Sequence, residues 1–265
     1  MTRHPGREGA LLMEREDNRV ANRPDSRRDQ RFSSVADPES DPHINGKYFR
    51  NNPTWHVEYS PWKAENIYRF LQRKQLNPQT ISEVGCGAGE VLRQLQLKMD
   101  PTCRFWGYDV APPAIQMAKE RENERLRFEL ADFPAIETPR SDLLLILEVV
   151  DHVEDYLGFL RSLKNRADLK IFSFSLDISM QSALRPGVLL RRREVHGHLH
   201  HFNKDTALAV IRDTGYEILD HFYPPTFPYS TLAKLANPIR KMAFTVNQDL
   251  TARMFGGYSL LILAR

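Results

Sequence analysis

The chain has 265 residues, with 37 Lys and Arg against 34 Asp and Glu and a formal net charge of +3. That length suits one α/β domain with decorations, and so mild a basic excess neither demands nucleic acid nor rules it out. Two cysteines and no apolar run near the roughly 18 residues of a membrane span exclude a disulfide-built scaffold and a spanning helix. Cys86 and Cys103 are expected as reduced thiols of a cytoplasmic protein. The first residues mix Arg, Pro, Gly and acids, which is not the apolar centre of a signal peptide.

Residues 1–42 are rich in Arg, Asp, Asn, Ser and Pro and poor in bulky apolar groups. They cannot bury enough surface to offset ordering entropy, so a disordered tail is expected. The composition changes at His43: Tyr48, Phe49, Trp55, Tyr59, Trp62 and Tyr68 crowd a short span, and Ser60 before Pro61 reads as a helix N-cap. The segment 43–80 is read either as a lid or as a hydrophobic staple that leads a helix into the first strand.

A short apolar run ends at Glu83 and Val84, and a turn with Gly85, Gly87 and Gly89 hands the chain to a helix near Glu90. Side-chain-free residues let the backbone turn sharply and approach a ligand. A dinucleotide fingerprint would place its third glycine where Glu90 stands, and a carboxylate there would repel a pyrophosphate. The pattern E-x-G-C-G-x-G-x-x-x-x-x-L, from Glu83 to Leu95, instead resembles the first motif of class I methyltransferases that use S-adenosylmethionine (SAM).

Later segments follow in that family's order. A second strand over 104–109 ends at Asp109, about twenty residues after Gly89, the interval at which nucleotide-binding α/β folds set an acid on the ribose hydroxyls. GYDVAPPAIQMAKE then starts a helix on Pro112 and Pro113. A third strand, 126–130, runs into Ala131, Asp132 and Phe133. The fourth, a continuous apolar run suited to a parallel strand, ends at Glu148, leaving Glu148, Asp151 and His152 beside the reaction chamber.

After a helix over 156–164 and a fifth strand over 169–175, a long connection, 176–201, carries Arg185, Arg191, Arg192 and Arg193, then His196, His198, His200 and His201. Long connections at the active face are usually functional. Three readings stay open: alternating His196, His198 and His200 as metal ligands, arginines that hold a phosphate, an acidic sugar or RNA backbone, or a solvated cap. No nearby cysteine or carboxylate pattern completes a metal motif, so no metal is expected. Asn203 reads as the N-cap of the next helix, a sixth strand covers 216–222, and a second insertion, 223–256, contains a helical stretch over 232–246. YSLLILAR closes the chain as a strand.

The resemblance covers residues 81–265. It implies a Rossmann-like α/β fold: a seven-stranded sheet, mostly parallel with an antiparallel last strand beside the fifth, and helices on both faces. It implies SAM as cofactor, with S-adenosylhomocysteine as product. Gly85, Cys86, Gly87 and Gly89 would hold its methionine part, Glu83 would orient the turn or take the ammonium, and Asp109 with Val110 would hold the ribose side. Asp132 and Phe133 would hold the adenine and Glu148 would border the cofactor. His152, His200 and His201 are the candidate catalytic residues. The expected reaction moves a methyl group to a small-molecule or glycan acceptor, at oxygen; an RNA or protein methyltransferase and a non-catalytic SAM-binding protein are the alternatives. Nucleic-acid and membrane partners are not expected, and monomer and homodimer both stay open.

Overall fold

The computed structural model of the protein describes residues 33–35, 39, 41–225 and 240–265. Five strands, β1 (Thr80–Val84), β2 (Arg104–Asp109), β3 (Leu126–Leu130), β4 (Ser141–Leu147) and β5 (Ala167–Leu176), pair in parallel, and β7 (Tyr258–Ala264) lies antiparallel between β5 and β6 (Ile218–Phe222). The order in the 7-stranded sheet is β3-β2-β1-β4-β5-β7-β6. The direction of winding reverses between β1 and β4, and ligands of open α/β sheets sit beyond the carboxyl ends of the strands at such a switch point. The fold class and the antiparallel last strand are those expected.

Pleating sends alternate residues of one strand into opposite layers. Leu143 and Leu145 of β4 pack with Ile81, Phe105 and Ile171 under α2 (Ser60–Arg73), α3 (Glu90–Gln96) and α4 (Pro112–Lys119). Leu144 and Ile146 pack with Phe172, Phe174 and Ile262 under α5 (Tyr156–Leu163) and α8 (Lys204–Asp213). Burial on both faces is why the fourth strand is an unbroken apolar run.

A short first helix, α1 (Lys47–Asn51), precedes α2, and at the start of α2 Ser60 differs from its expected role. It is the first residue of α2, because a 3-10 turn at Val57–Tyr59 already carries the backbone into helical geometry, and Pro61 sits one place inside. Asn203 does cap α8, accepting from Thr206 N in a reciprocal capping box. The connection after β5 is not a plain loop: it holds α6 (Met180–Ala183), started by a Ser179 cap, and α7 (Val188–His196), bounded by Gly187 and Gly197. A last helix, Gln248–Phe255, packs on α6. Residues 240–246 are helical, and the rest of the helix expected over 232–246 lies outside the described residues.

Most of the expected tail, 1–42, also lies outside the described residues. Where it is described, it contacts the domain: Ser33 Oγ and Ser34 N donate to Asp132 Oδ2 at 2.8 and 2.9 Å.

Candidate cofactor and acceptor site

A cavity of about 770 Å³ opens at the carboxyl ends of β1, β2, β4 and β5. Its floor is the glycine turn. Gly85, Gly87 and Gly89 all have positive φ, and a Cβ at Gly85 would meet Val149 Cγ2 at 2.4 Å, while one at Gly89 would meet Phe128 Cζ at 2.4 Å. No L side chain combines that backbone with that packing. The turn is held from below by Asp109, whose Oδ2 accepts from Gly87 N at 2.8 Å and Oδ1 from Ala111 N at 2.9 Å. Each carboxylate oxygen has a second lone pair, so Asp109 retains capacity for a ligand hydroxyl. Burial raises its pKa, against the backbone hydrogen bonds from Ala111 and Gly87.

Glu83, 2% exposed, also faces the cavity, and its Oε2 meets no donor. Burial pushes its carboxyl up to about 8, although the Lys63 ammonium pulls the other way. Glu90 is the opposite case. It lines the cavity at the start of α3 but is gripped by Arg93, Gln94 and Arg121, which outweigh its desolvation and hold it near 2. An ion so neutralised belongs to the turn's framework.

At the end of β4, Glu148 takes a left-handed backbone, φ 57, and its Oε2 receives Lys63 Nζ at 2.6 Å. Non-glycine residues hold such geometry where surroundings impose it, commonly at functional sites. Burial opposes its charge, yet Lys63 keeps its pKa below the usual value. The aromatic segment lies over this floor. The Trp55 indole touches the turn, since a Cβ on Gly87 would stand 2.5 Å from its Cδ1, and the rings of Tyr48, His43 and His152 pack behind it in tilted and edge-on contacts.

The wall opposite the glycine turn is built by β5, α7 and the loop after it. Asp177, just beyond β5, is fully buried and binds Arg192 through Oδ1 and both His198 Nδ1, at 2.6 Å, and His201 Nδ1, at 3.0 Å, through Oδ2. His152 Nδ1 lies 3.1 Å from the carbonyl oxygen of Gly197 and donates to it. Burial, with His43 and His198 nearby, holds His152 well below its ordinary pKa and therefore neutral. Arg185 and Arg191 line the outer part of this wall.

Residues 82–168, which carry the glycine turn, Asp109, Asp132 and Glu148, match the family model described as a methyltransferase domain. Over this stretch the chain is similar to a methyltransferase domain. Solved structures repeat its fold. A chain of the complex between the Haloferax volcanii Trm112 methyltransferase activator and a putative methyltransferase aligns with a TM-score of 0.56 at 15% identity, over 84% of this chain and 96% of that one. The plantazolicin methyltransferase BpumL, solved with SAH, gives 0.54 at 16% identity, over 86% and 92%. Magnesium protoporphyrin IX methyltransferase from Synechocystis PCC 6803, also with SAH, gives 0.50 at 15%, over 81% and 85%. At such identities the likeness is one of fold. No curated protein sequence matches the chain significantly.

The structure brings Glu83, Gly85, Cys86, Gly87, Asp109, Val110, Asp132, Phe133, Glu148 and His152 together on one cavity. Gly89 shapes the turn without lining it. His200 and His201 are not brought to the cavity: His200 Nε2 pairs with the Glu154 carbonyl and its ring with Tyr156, and His201 reaches Asp177 from behind. His198, read along the chain only as one of three alternating histidines, lines the cavity instead. Asp132 is joined by Ser33 and Ser34, and Phe133 packs at a tilt against Tyr108 with the Arg166 guanidinium over its ring. Lys63, Asp177 and Ser34 carry no motif in the sequence, and only the fold brings them to the site.

Proposed function

We propose that the protein transfers a methyl group from SAM to an oxygen of a small-molecule or glycan acceptor. The observation that carries this reading is Glu83: a buried carboxylate with one oxygen unmatched, facing a cavity beside a glycine turn, is completed by the ammonium of the cofactor's methionine part. The amides of Gly85 to Gly89 and the side of Cys86 hold the rest of that part. Asp109 takes the ribose hydroxyls, with Val110 beside it. Asp132 and Phe133 take the adenine, with Ser33 and Ser34 fixing the Asp132 carboxylate, and Glu148, anchored by Lys63, borders the sulfonium.

SAM supplies the electrophilic methyl group, so the protein's work is orientation and exclusion of water. Trp55 and Tyr48 close the cofactor side. On the acceptor side His152 spends its Nδ1 hydrogen on Gly197, which leaves Nε2 to accept a hydrogen bond from an acceptor hydroxyl. His200 and His201 act on the acceptor only through the loop they share with His198. Arg185 and Arg191 favour an acceptor bearing a carboxylate or phosphate.

The experiment is transfer of labelled methyl from SAM to a panel of phenols, hydroxy acids and glycans, with RNA and peptides in parallel. Label in an acidic hydroxyl compound is the expected result. Label in RNA or peptide alone would replace the acceptor class, and SAM binding without transfer to any member would favour a non-catalytic SAM-binding protein.

A further inference from the structure

Two buried carboxylates stand near each other behind the acceptor wall, and their partners are shared unequally. Asp177, 2% exposed, receives three donors, from Arg192, His198 and His201. Asp151, 1% exposed, has no side-chain donor on either oxygen; it lies in the electrostatic field of His198 and Asp177, and the Ser175 amide offsets part of its burial. Asp177 thus gathers a guanidinium and two imidazoles on one buried carboxylate, and the two imidazoles share a single oxygen.

The geometry points to a divalent metal ion held by Asp177 Oδ2, His198 Nδ1 and His201 Nδ1. Each of the three residues offers a ligand atom within 4.8 Å of the other two, and the two Nδ1 atoms stand 2.6 and 3.0 Å from Oδ2. Ligands sharing a tetrahedral ion at about 2.0–2.1 Å stand roughly 3.4 Å apart, so each ring nitrogen need retreat by less than about 1 Å from its present place. Arg192 occupies the other oxygen of Asp177 and leaves Oδ2 for the ion. Two imidazoles and one carboxylate suit Zn²⁺, Fe²⁺, Mn²⁺ or Co²⁺ better than Mg²⁺ or Ca²⁺.

The backbone around the ligands is already fixed. Leu199 N and His200 N donate to the Asp151 carbonyl at 2.8 and 3.1 Å, Ile178 N donates to the Phe202 carbonyl at 3.0 Å, and Asn203 caps α8 directly after. A metal site needs such preorganisation to hold ligand geometry. It also answers why spacing along the chain did not show it: the carboxylate comes from the end of β5, and the second histidine stands three positions after the first, on a loop.

Asp177 and His198 line the acceptor cavity, so the ion's remaining positions open toward the acceptor. Its role there rests on the methyl-transfer reading. The acceptor hydroxyl would bind the ion through oxygen and pass its proton to His152 Nε2 and from there to bulk water, and the new O–C bond would form as the C–S bond of SAM breaks, leaving a methyl ether and S-adenosylhomocysteine. Metal binding itself does not depend on that reading.

The test uses the full chain freed of metal by a chelator and titrated calorimetrically with Zn²⁺ and with Mn²⁺, together with the visible spectrum of the Co²⁺ form. One ion per chain is expected, with ligand-field bands of nitrogen and oxygen coordination. Asp177→Asn and His201→Gln should each weaken it by more than about 100-fold, beyond what loss of an outer partner costs. SAM affinity, measured separately, shows whether the variants fold, and its failure in the wild type would count against the cofactor reading alone. Absence of stoichiometric metal binding by the wild type, or binding that both folded variants keep, overturns the proposal and leaves Asp177 as a hydrogen-bonded anchor.

Discussion

Lys63 of α2 and Glu148 at the end of β4 form an ion pair, Nζ to Oε2 at 2.6 Å, across 85 positions of the chain. The pair ties the helix that follows the aromatic segment to the residue whose left-handed backbone borders the cavity. Lys63 also offsets the burial of Glu83.

Lys63→Met therefore removes one ammonium that serves two carboxylates. Both partners are about a quarter exposed, 23% and 25%, so the cost lies between that of a surface pair and a buried one, roughly 1–2 kcal/mol. Urea unfolding of Lys63→Met, Glu148→Gln and the double variant checks it. The double variant should be less destabilised than the sum of the singles.

Asp109→Ala should leave the fold intact and weaken SAM binding. It removes the acceptor of the Gly87 and Ala111 amides together with the proposed ribose contact. A hydrogen bond to a charged group is worth about 1.5–3 kcal/mol, so affinity should fall roughly 10–100-fold. Calorimetry reads the change, and unaltered affinity would remove the ribose assignment.

Glu83 makes both stability and binding depend on pH. Its folded pKa is about 8 against an ordinary 4.5, so between those values the unfolded chain has lost a proton that the folded chain keeps. Stability should fall as pH rises through that window and level off above it. Glu83→Gln should flatten the slope in melting temperature against pH. If SAM binds the ionised carboxylate, its affinity should rise with pH up to about 8 with release of a proton. Titrations in buffers of different ionisation enthalpy detect that proton.

Gly89 and Gly187 separate packing from backbone conformation. Both have positive φ, 77 and 75, but a Cβ at Gly89 would strike Phe128 at 2.4 Å while one at Gly187 would meet nothing within 4 Å. Gly187→Ala should cost only the left-handed conformation, about 1–2 kcal/mol. Gly89→Ala should cost clearly more, because a buried ring must also move. Thermal melting of the two variants gives the comparison.

Arg191→Ala should raise the KM for an acidic acceptor with little change in kcat or in SAM affinity, since Arg191 lines the outer wall away from the glycine turn. A fall in kcat with unchanged KM would place it nearer the reacting atoms.

The part of the cavity around the glycine turn was legible in the sequence because it is local. Three glycines in five residues, an acid at the end of the next strand and an apolar run ending in Glu148 each follow from one strand and its turn, and the mostly parallel sheet with its antiparallel last strand follows from the order of such units. The rest of the cavity is made by contacts distant along the chain. Nothing near Lys63 announces Glu148, and nothing near Ser34 announces Asp132. The histidines show the limit most plainly. Alternation of His196, His198 and His200 suggests one face of a strand, but the chain there is the end of α7 and a loop, so His198 and His201 converge on Asp177 while His200 turns to the Glu154 carbonyl. Ser60 misled for a related reason: the 3-10 turn before it moves the start of α2 one residue back.

The most direct test of the central claim is calorimetric titration of the purified chain with SAM, with S-adenosylhomocysteine and, as a control, with NADH. The account predicts one site per chain for the first two, in the micromolar range, and no heat from NADH. Binding of NADH with none of SAM would contradict it, and would mean that Glu90, neutralised by Arg93 and Arg121, does not keep a pyrophosphate from the glycine turn.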